Sequence, residues 1–407
     1  MFIHKIFSDT TVTLLAASIV LAINAGTSTH GYTSINAAGV ITITASAGLG
    51  IFLNSGTPIT VVISGTVTAT ITQFTGGVAS DLDQVHYHIS EAFRKLPQIV
   101  LYVGLFTPPV STYDFAEVSQ LVNYVPGDPR QVGFYTTTAY TTGKLTSLHN
   151  QLQTLAAADK PASGVVTMDL TGVSLSTISD LSTLSSFRVT DDLAQDFGGV
   201  GYTLYKALGK TVGTVGAMIG AIAYAKVSES IGWVQKQDMS DGNELETIGF
   251  GNGVLWTDPI IQNSNLLDVL YAQQHQYLIK PVNGTGTWYV GSNTAAPLTN
   301  SFCYIENIRT ADKIVRGLAT YMFPSVNGPL SLKANGTLTE MEIAELERLA
   351  NIPLDQMISA GEISAYNDTI NPTDIISITS TVNITINVVL IGVARYLVFN
   401  INETSAL

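Results

Sequence analysis

The sequence predicts an α/β fold, α+β overall: a layered α/β core, an additional β-rich region before it, and extended β arms at both ends. Three observations carry this expectation. Apolar runs switch repeatedly between helical and strand periodicity from residue 81 to 233, residues 376–390 alternate with period two, and residues 32–75 are rich in Thr, Val, Ile and Gly.

The amino-terminal elements come first. Lys5 and the apolar run "VTLLAASIVLAINAG" imitate a secretory leader, but Asp9 interrupts the approach to it. Val12 and Leu14 alternate with Thr11 and Thr13, which predicts a short strand over residues 10–15. The runs "VITITASA" and "TPITVVISGTVTATITQF" follow, a β region broken by glycine turns. These elements make up an expected first domain, residues 1–80.

A core domain is expected over residues 81–310. In "DLDQVHYHISEAFRKLP" Leu82, Val85, Ile89, Phe93 and Leu96 recur at helical spacing up to Pro97. "QIVLYVGLF", residues 98–106, then reads as a fully buried strand of a parallel sheet. A helical stretch at 115–124, the strand "QVGFYTTTAY", the helix "LTSLHNQLQTLAAADKP" and the strand "SGVVTMDL" continue the alternation, with right-handed crossovers expected. Gly213, Gly216 and Gly220 are spaced for close helix contact within 201–233, and Lys210 and Lys226 enclose too short an apolar run for a membrane span. Residues 238–307 are loop-rich. The last expected domain, 311–407, holds two helices and the closing strands. The first helix runs through "IRTADKIVRGLATYMF", and the second starts on a capping box of Thr339 and Glu342.

Composition narrows the function. Charged residues are 12% of the 407 and the net charge is −13, so the clustered cations that phosphate binding needs are missing and nucleic acid is not an expected partner. Cys303 is the single cysteine, which rules out an internal disulfide framework. No metal, cofactor or catalytic residue is expected. "GKT" at 209–211 lacks the glycine a phosphate loop needs at position 204, which is Leu, and reads instead as a helix start. His86 and His88 diverge by about 200° on a helix, so they read as surface or edge histidines near Asp81 and Asp83. "GFGNG" at 249–253 lacks the strand and helix of a dinucleotide site, and there is no Gly-x-Ser-x-Gly elbow. The sequons at Asn283, Asn335 and Asn383 matter only in a secreted protein.

No ionisable side chain lies between Asp374 and Arg395. A membrane span is still a poor reading, because Ile376, Ile378, Val382, Ile384, Ile386, Val388 and Leu390 alternate with Ser, Thr and Asn. After Gly392, Tyr396–Ile401 forms a second candidate strand, containing Val398. Such strands need partners within the chain or on a neighbour.

"FCYIENIRTADKIVRGLATYMFP", "GPLSLKANGTLTEMEIAELERLA", "MISAGEIS" and the closing strands resemble the carboxy-terminal part of tail sheath proteins from contractile phages and contractile injection systems. "DQVHYHISEAFRKLPQIVLYVGLF" and "AKVSESIGWV" resemble pieces of that family's α/β core, so about half of the chain is covered. The resemblance implies a structural protein without enzymatic activity or cofactor. It would form hexameric rings stacked as a helical homo-oligomer around an inner tail tube protein, with baseplate and terminator proteins at the ends. Its terminal arms would exchange strands between subunits through Val12, Leu14, Val382, Ile384, Ile386, Val388, Tyr396 and Val398. It would reside in a virion tail assembled in the host cytoplasm, or in the bacterial cytoplasm as part of a cellular device, without membrane insertion. The role of residues 32–75 has no counterpart in that pattern. The alternative reading is a secreted β-rich adhesin or surface-layer protein, supported by the leader-like start, the threonine content and the sequons.

Overall fold

The computed structural model describes residues 11–45, 68, 70–74, 76–106, 113–125, 129–281 and 285–395. The chain divides into two compact units, residues 1–86 with 206–208, and residues 87–205 with 209–407.

In the first unit helix α1 (Val12–Ala25) and the single turn α2 (Thr27–His30) precede a hairpin, β1 (Thr33–Ala37) with β2 (Val40–Thr44). Of the strand expected at residues 10–15, Val12–Leu15 are therefore helical and Thr10 lies outside the described residues. Four alternating residues were a weak signal beside the Ala- and Leu-rich run that follows them, and Thr11 caps that run by accepting the Leu14 amide at 3.2 Å. The hairpin confirms the start of the β region. Its two-residue turn holds Ala38 and Gly39 at φ 52° and 90°, the left-handed pair that a tightly twisted hairpin requires. Asn24 ties helix to hairpin, with its amide donating to the Ser34 carbonyl at 2.8 Å and its oxygen accepting the Ser34 amide at 2.7 Å.

Helix α3 (Asp81–Lys95) forms where expected, with Ser80 as its cap and Asp83 reaching back to the Ser80 amide at 2.7 Å. Its seating is rotated from what the apolar stripe suggests, with Val85, Ile89 and Leu96 only half-buried. Leu82 and Phe93 are 58% and 39% exposed, whereas Asp83, Gln84, Tyr87, His88 and Glu91 are buried.

The core of the second unit is a parallel sheet in the order β3 (Gln131–Ala139), β4 (Ser163–Asp169), β5 (Val189–Asp192). Helix α4 (Ala116–Tyr124) precedes it, and α5 (Thr142–Ala157) is the crossover from β3 to β4. Adjacent residues of β4 serve opposite faces. Val166 packs with Leu145, Leu148 and Leu152 of α5, while Val165 packs with the cluster around α7 (Val215–Tyr224). Between β5 and α7 lie the short strand β6 (Ala194–Asp196) and helix α6 (Val200–Leu208). The glycine spacing in α7 has the expected consequence, because a methyl on Gly216 would overlap the backbone of His88 and one on Gly220 would meet the Ala92 carbonyl.

Three expectations are corrected here. Residues 98–106 form no strand: Ile99 and Leu101 touch the core, but Val100 is 76% exposed and no ladder partner is present among the described residues. Strand-forming composition becomes a strand only where a neighbour supplies hydrogen bonds. "GKT" follows a helix instead of starting one. Gly209 ends α6 at φ 63°, and the buried Thr211 hydroxyl accepts the Leu170 amide and donates to the Gly251 carbonyl, both at 2.8 Å. His88 is buried between the rings of Tyr87 and Tyr135, each 5.4 Å away, and its Nδ1 accepts the Gly216 amide at 3.4 Å. Burial holds its imidazole down to about 3.

The loop-rich stretch contains only small elements: β7 (Ile248–Phe250) pairs with β6, then α8 (Pro259–Gln262), α9 (Leu266–Ala272), and β8 (Leu278–Ile279) pairs with β9 (Trp288–Tyr289). Two long helices follow, α10 (Ile305–Met322) and α11 (Glu340–Ser359). Thr339 accepts the Glu342 amide at 3.3 Å as expected, but the Glu342 carboxylate takes the Ser331 amide at 3.1 Å instead of closing the box. Pro353 sits inside α11, where a methyl at Gly317 of α10 would come within 2.7 Å of its ring.

Candidate assembly surface

The chain closes with β10 (Ile363–Ile370), the single turn α12 (Ile376–Thr379) and β11 (Ile384–Leu390). The alternation at residues 376–379 thus belongs to a helical turn, which Ser380 terminates in the left-handed region at φ 50°. From Ile384 onward the period-two pattern forms a strand.

β11 lies antiparallel on β10 of its own chain, with Ile370 opposite Ile384, Asp368 opposite Ile386, Tyr366 opposite Val388 and Ile363 opposite Leu390. This sheet has two strands, so each strand has one edge without a ladder partner among the described residues. One face is covered. Ile386 and Val388 join Tyr366 against Ile314, Leu354, Met357 and Ile363, while Ile384 and Val382 pack with Leu338, Leu346, Ile370 and Ile376. Thr385, Asn387 and Val389 point to the exposed side.

The structure therefore places Val382, Ile384, Ile386 and Val388 together, with Val382 just ahead of the strand. Val12 and Leu14 are exposed on α1 in the other unit. Tyr396 and Val398 lie outside the described residues.

Two elements escaped the sequence reading. β10 contains Asn367 and Asp368, which blur its alternation, although Ile363 and Ile370 at its ends are buried. Arg395 is the other. The five residues Ile391–Arg395 carry no helix or strand, and they bring the Arg395 guanidinium onto the Glu306 carboxylate and over the Tyr304 ring, 3.3 Å from its centre. Glu306 is 2% exposed. A signal did exist in the sequence, since Arg395 is the only Lys or Arg in residues 349–407.

Among the described residues no group of three or more His, Cys, Asp or Glu is placed to hold a metal, and no helix is long and apolar enough to cross a membrane.

A family profile described as "DUF2586, C-terminal domain" matches residues 302–407, the segment that contains α10, α11 and the ribbon of β10 and β11. The chain is similar to a chain of the anti-feeding prophage (AFP) baseplate solved by cryo-EM, with 10% identity, a TM-score of 0.49, and coverage of 78% of this chain and 80% of that one. It is also similar to the sheath tail protein of Desulfitobacterium hafniense, with 10% identity, a TM-score of 0.38, and coverage of 88% and 68%. Among curated proteins no sequence matches.

Proposed function

We propose that this chain is a structural subunit of a contractile tail or injection device: a sheath subunit that polymerises in stacked hexameric rings around an inner tube and shortens to drive that tube through a target envelope. The observation that carries the reading is the two-stranded ribbon of β10 and β11. Among the described residues both its edges are without a ladder partner, one face is held by α11, and β11 is built without a charge.

A two-stranded ribbon is marginal alone and gains from each strand added to it. Each cross-strand pair contributes roughly 0.2–1 kcal/mol, so one donated strand is weak and a lattice of them is strong. In this reading β11 is exchanged between copies, and its apolar residues fill the same clusters on a neighbour that they fill on their own chain. The amino-terminal contribution comes from helix α1, with Val12 and Leu14 as its exposed contacts, instead of from a strand. Work would be stored as the difference between two packings of identical subunits, which needs no cofactor. Tube, baseplate and terminator proteins are the expected partners, in a virion tail or a bacterial injection device.

Negative-stain imaging of the purified full chain tests this. Long tubes are expected, and a chain lacking residues 391–407 should remain folded yet form none. Normal tubes from the truncated chain would overturn the role given to the arm.

A further inference from the structure

Glu306 presents a chemical problem at the start of α10. One carboxylate oxygen meets Arg395, and the other has no hydrogen-bond partner among the described residues. Arg309, one turn further on, is committed to the carbonyls of Ala225 and Lys226, both at 3.1 Å. Arg309 still lends Glu306 a nearby positive charge, but the cation that hydrogen-bonds the carboxylate is the guanidinium on the arm beyond β11, stacked on Tyr304. A buried carboxylate stripped of its cation is costly, so the arm cannot simply lift away. It can be replaced only by a group that brings the same charge and planar shape.

The ribbon has a complementary weakness. In an antiparallel ladder a slip of two residues keeps every side chain on its own face, so apolar contacts alone fix the register of β11 poorly. A single ion pair beyond the end of the strand, on a tether that spans at most about 17 Å, restricts that freedom to registers from which Arg395 still reaches Glu306.

We propose that Tyr304 and Glu306 form a guanidinium socket that sets the register of the C-terminal arm, and that in the assembly the socket takes Arg395 from a second copy of this chain. The inference rests on the exchange reading above and adds the recognition chemistry to it. Socket and ribbon belong to one unit, so an arriving arm meets two attachment points at a fixed spacing, the edge of β10 and the Glu306 carboxylate. An arm in the wrong register leaves Glu306 unanswered.

Charge reversal separates closure within one chain from exchange between chains. Arg395→Glu and Glu306→Arg each place like charges together, both within the chain and between identical copies. An equimolar mixture restores opposite charges only between different chains. Each variant alone should show native near-UV circular dichroism and a critical concentration for assembly raised at least about tenfold, and mixing should recover the wild-type value. Variants that assemble as the wild type does, or a folded mixture that stays unassembled, overturn the socket while leaving the subunit reading intact. A wild-type chain that forms no assembly overturns both. Should Glu306→Arg not fold, Arg395→Lys and Glu306→Gln take its place. Each should also raise the critical concentration about tenfold, and unchanged values in both overturn the proposal.

Discussion

Gly216 in α7 donates its amide to Nδ1 of His88 in α3, and the two backbones approach so closely there that no side chain fits on the glycine. This contact fixes the polar-inward seating of α3, because a helix that comes this near to a neighbour buries whichever face carries its small residues and its hydrogen-bonding ring.

Gly216→Ala should therefore behave as an overpacking change. A loss of about 3 kcal/mol is expected in chemical unfolding, despite the better helix propensity of alanine. Gly143→Ala in α5 is the control: its methyl meets nothing within 4 Å, so it should be neutral or stabilise by up to about 1 kcal/mol.

Acid should act on the same contact. The His88 imidazole is held down to about 3 by burial, whereas in the unfolded chain it titrates at about 6.5. Its contribution to stability is complete above about pH 6.5 and is lost as pH falls toward 3, in full about 5 kcal/mol. Asp192 runs the other way. Burial lifts its carboxyl to about 6 despite donors from Thr167, Thr214 and Ala194, so its contribution is present below about pH 4 and is lost as pH rises through 6. Unfolding measured from pH 3 to 8 should become less acid-sensitive in His88→Gln, and in Asp192→Asn should lose the decline between pH 4 and 6.

Arg188 joins the sheet to α10. One of its guanidinium nitrogens lies 3.0 Å from both Asp312 oxygens and 3.1 Å from the Ala162 carbonyl, in a place that is nearly closed to solvent. Arg188→Met strands the Asp312 carboxylate and should cost about 3–5 kcal/mol. Arg188→Met with Asp312→Leu should recover most of that loss, and equal melting points for the single and double variants would refute the ion pair as the cause.

Much of the core was legible because it is built locally. The helix at 81, β3, α5 and β4 announce themselves through periodicity and follow in the order a crossover unit demands. The misreadings arise where distant residues decide. Nothing near Gln98 reveals that its apolar run finds no ladder partner among the described residues, and the stripe on α3 gives no hint that Gly216 will draw His88 and its polar neighbours inward. At the candidate surface the alternation of Ile384, Ile386 and Val388 was plain, since one face is covered. The partner strand β10 was not, because Asn367 and Asp368 dilute its pattern. Arg395 needed the fold, for only the fold shows that Glu306 is buried.

Pro353 interrupts α11 between the two clusters that hold the ribbon, one centred on Leu354 and Met357, the other on Leu346. A proline has no amide to offer the turn before it, so α11, continuous from Glu340 to Ser359, lacks one of its ladder bonds at that point. The residues after the proline hold one end of the ribbon and those before it hold the other, so the weakest place in the helix backbone lies between its two grips.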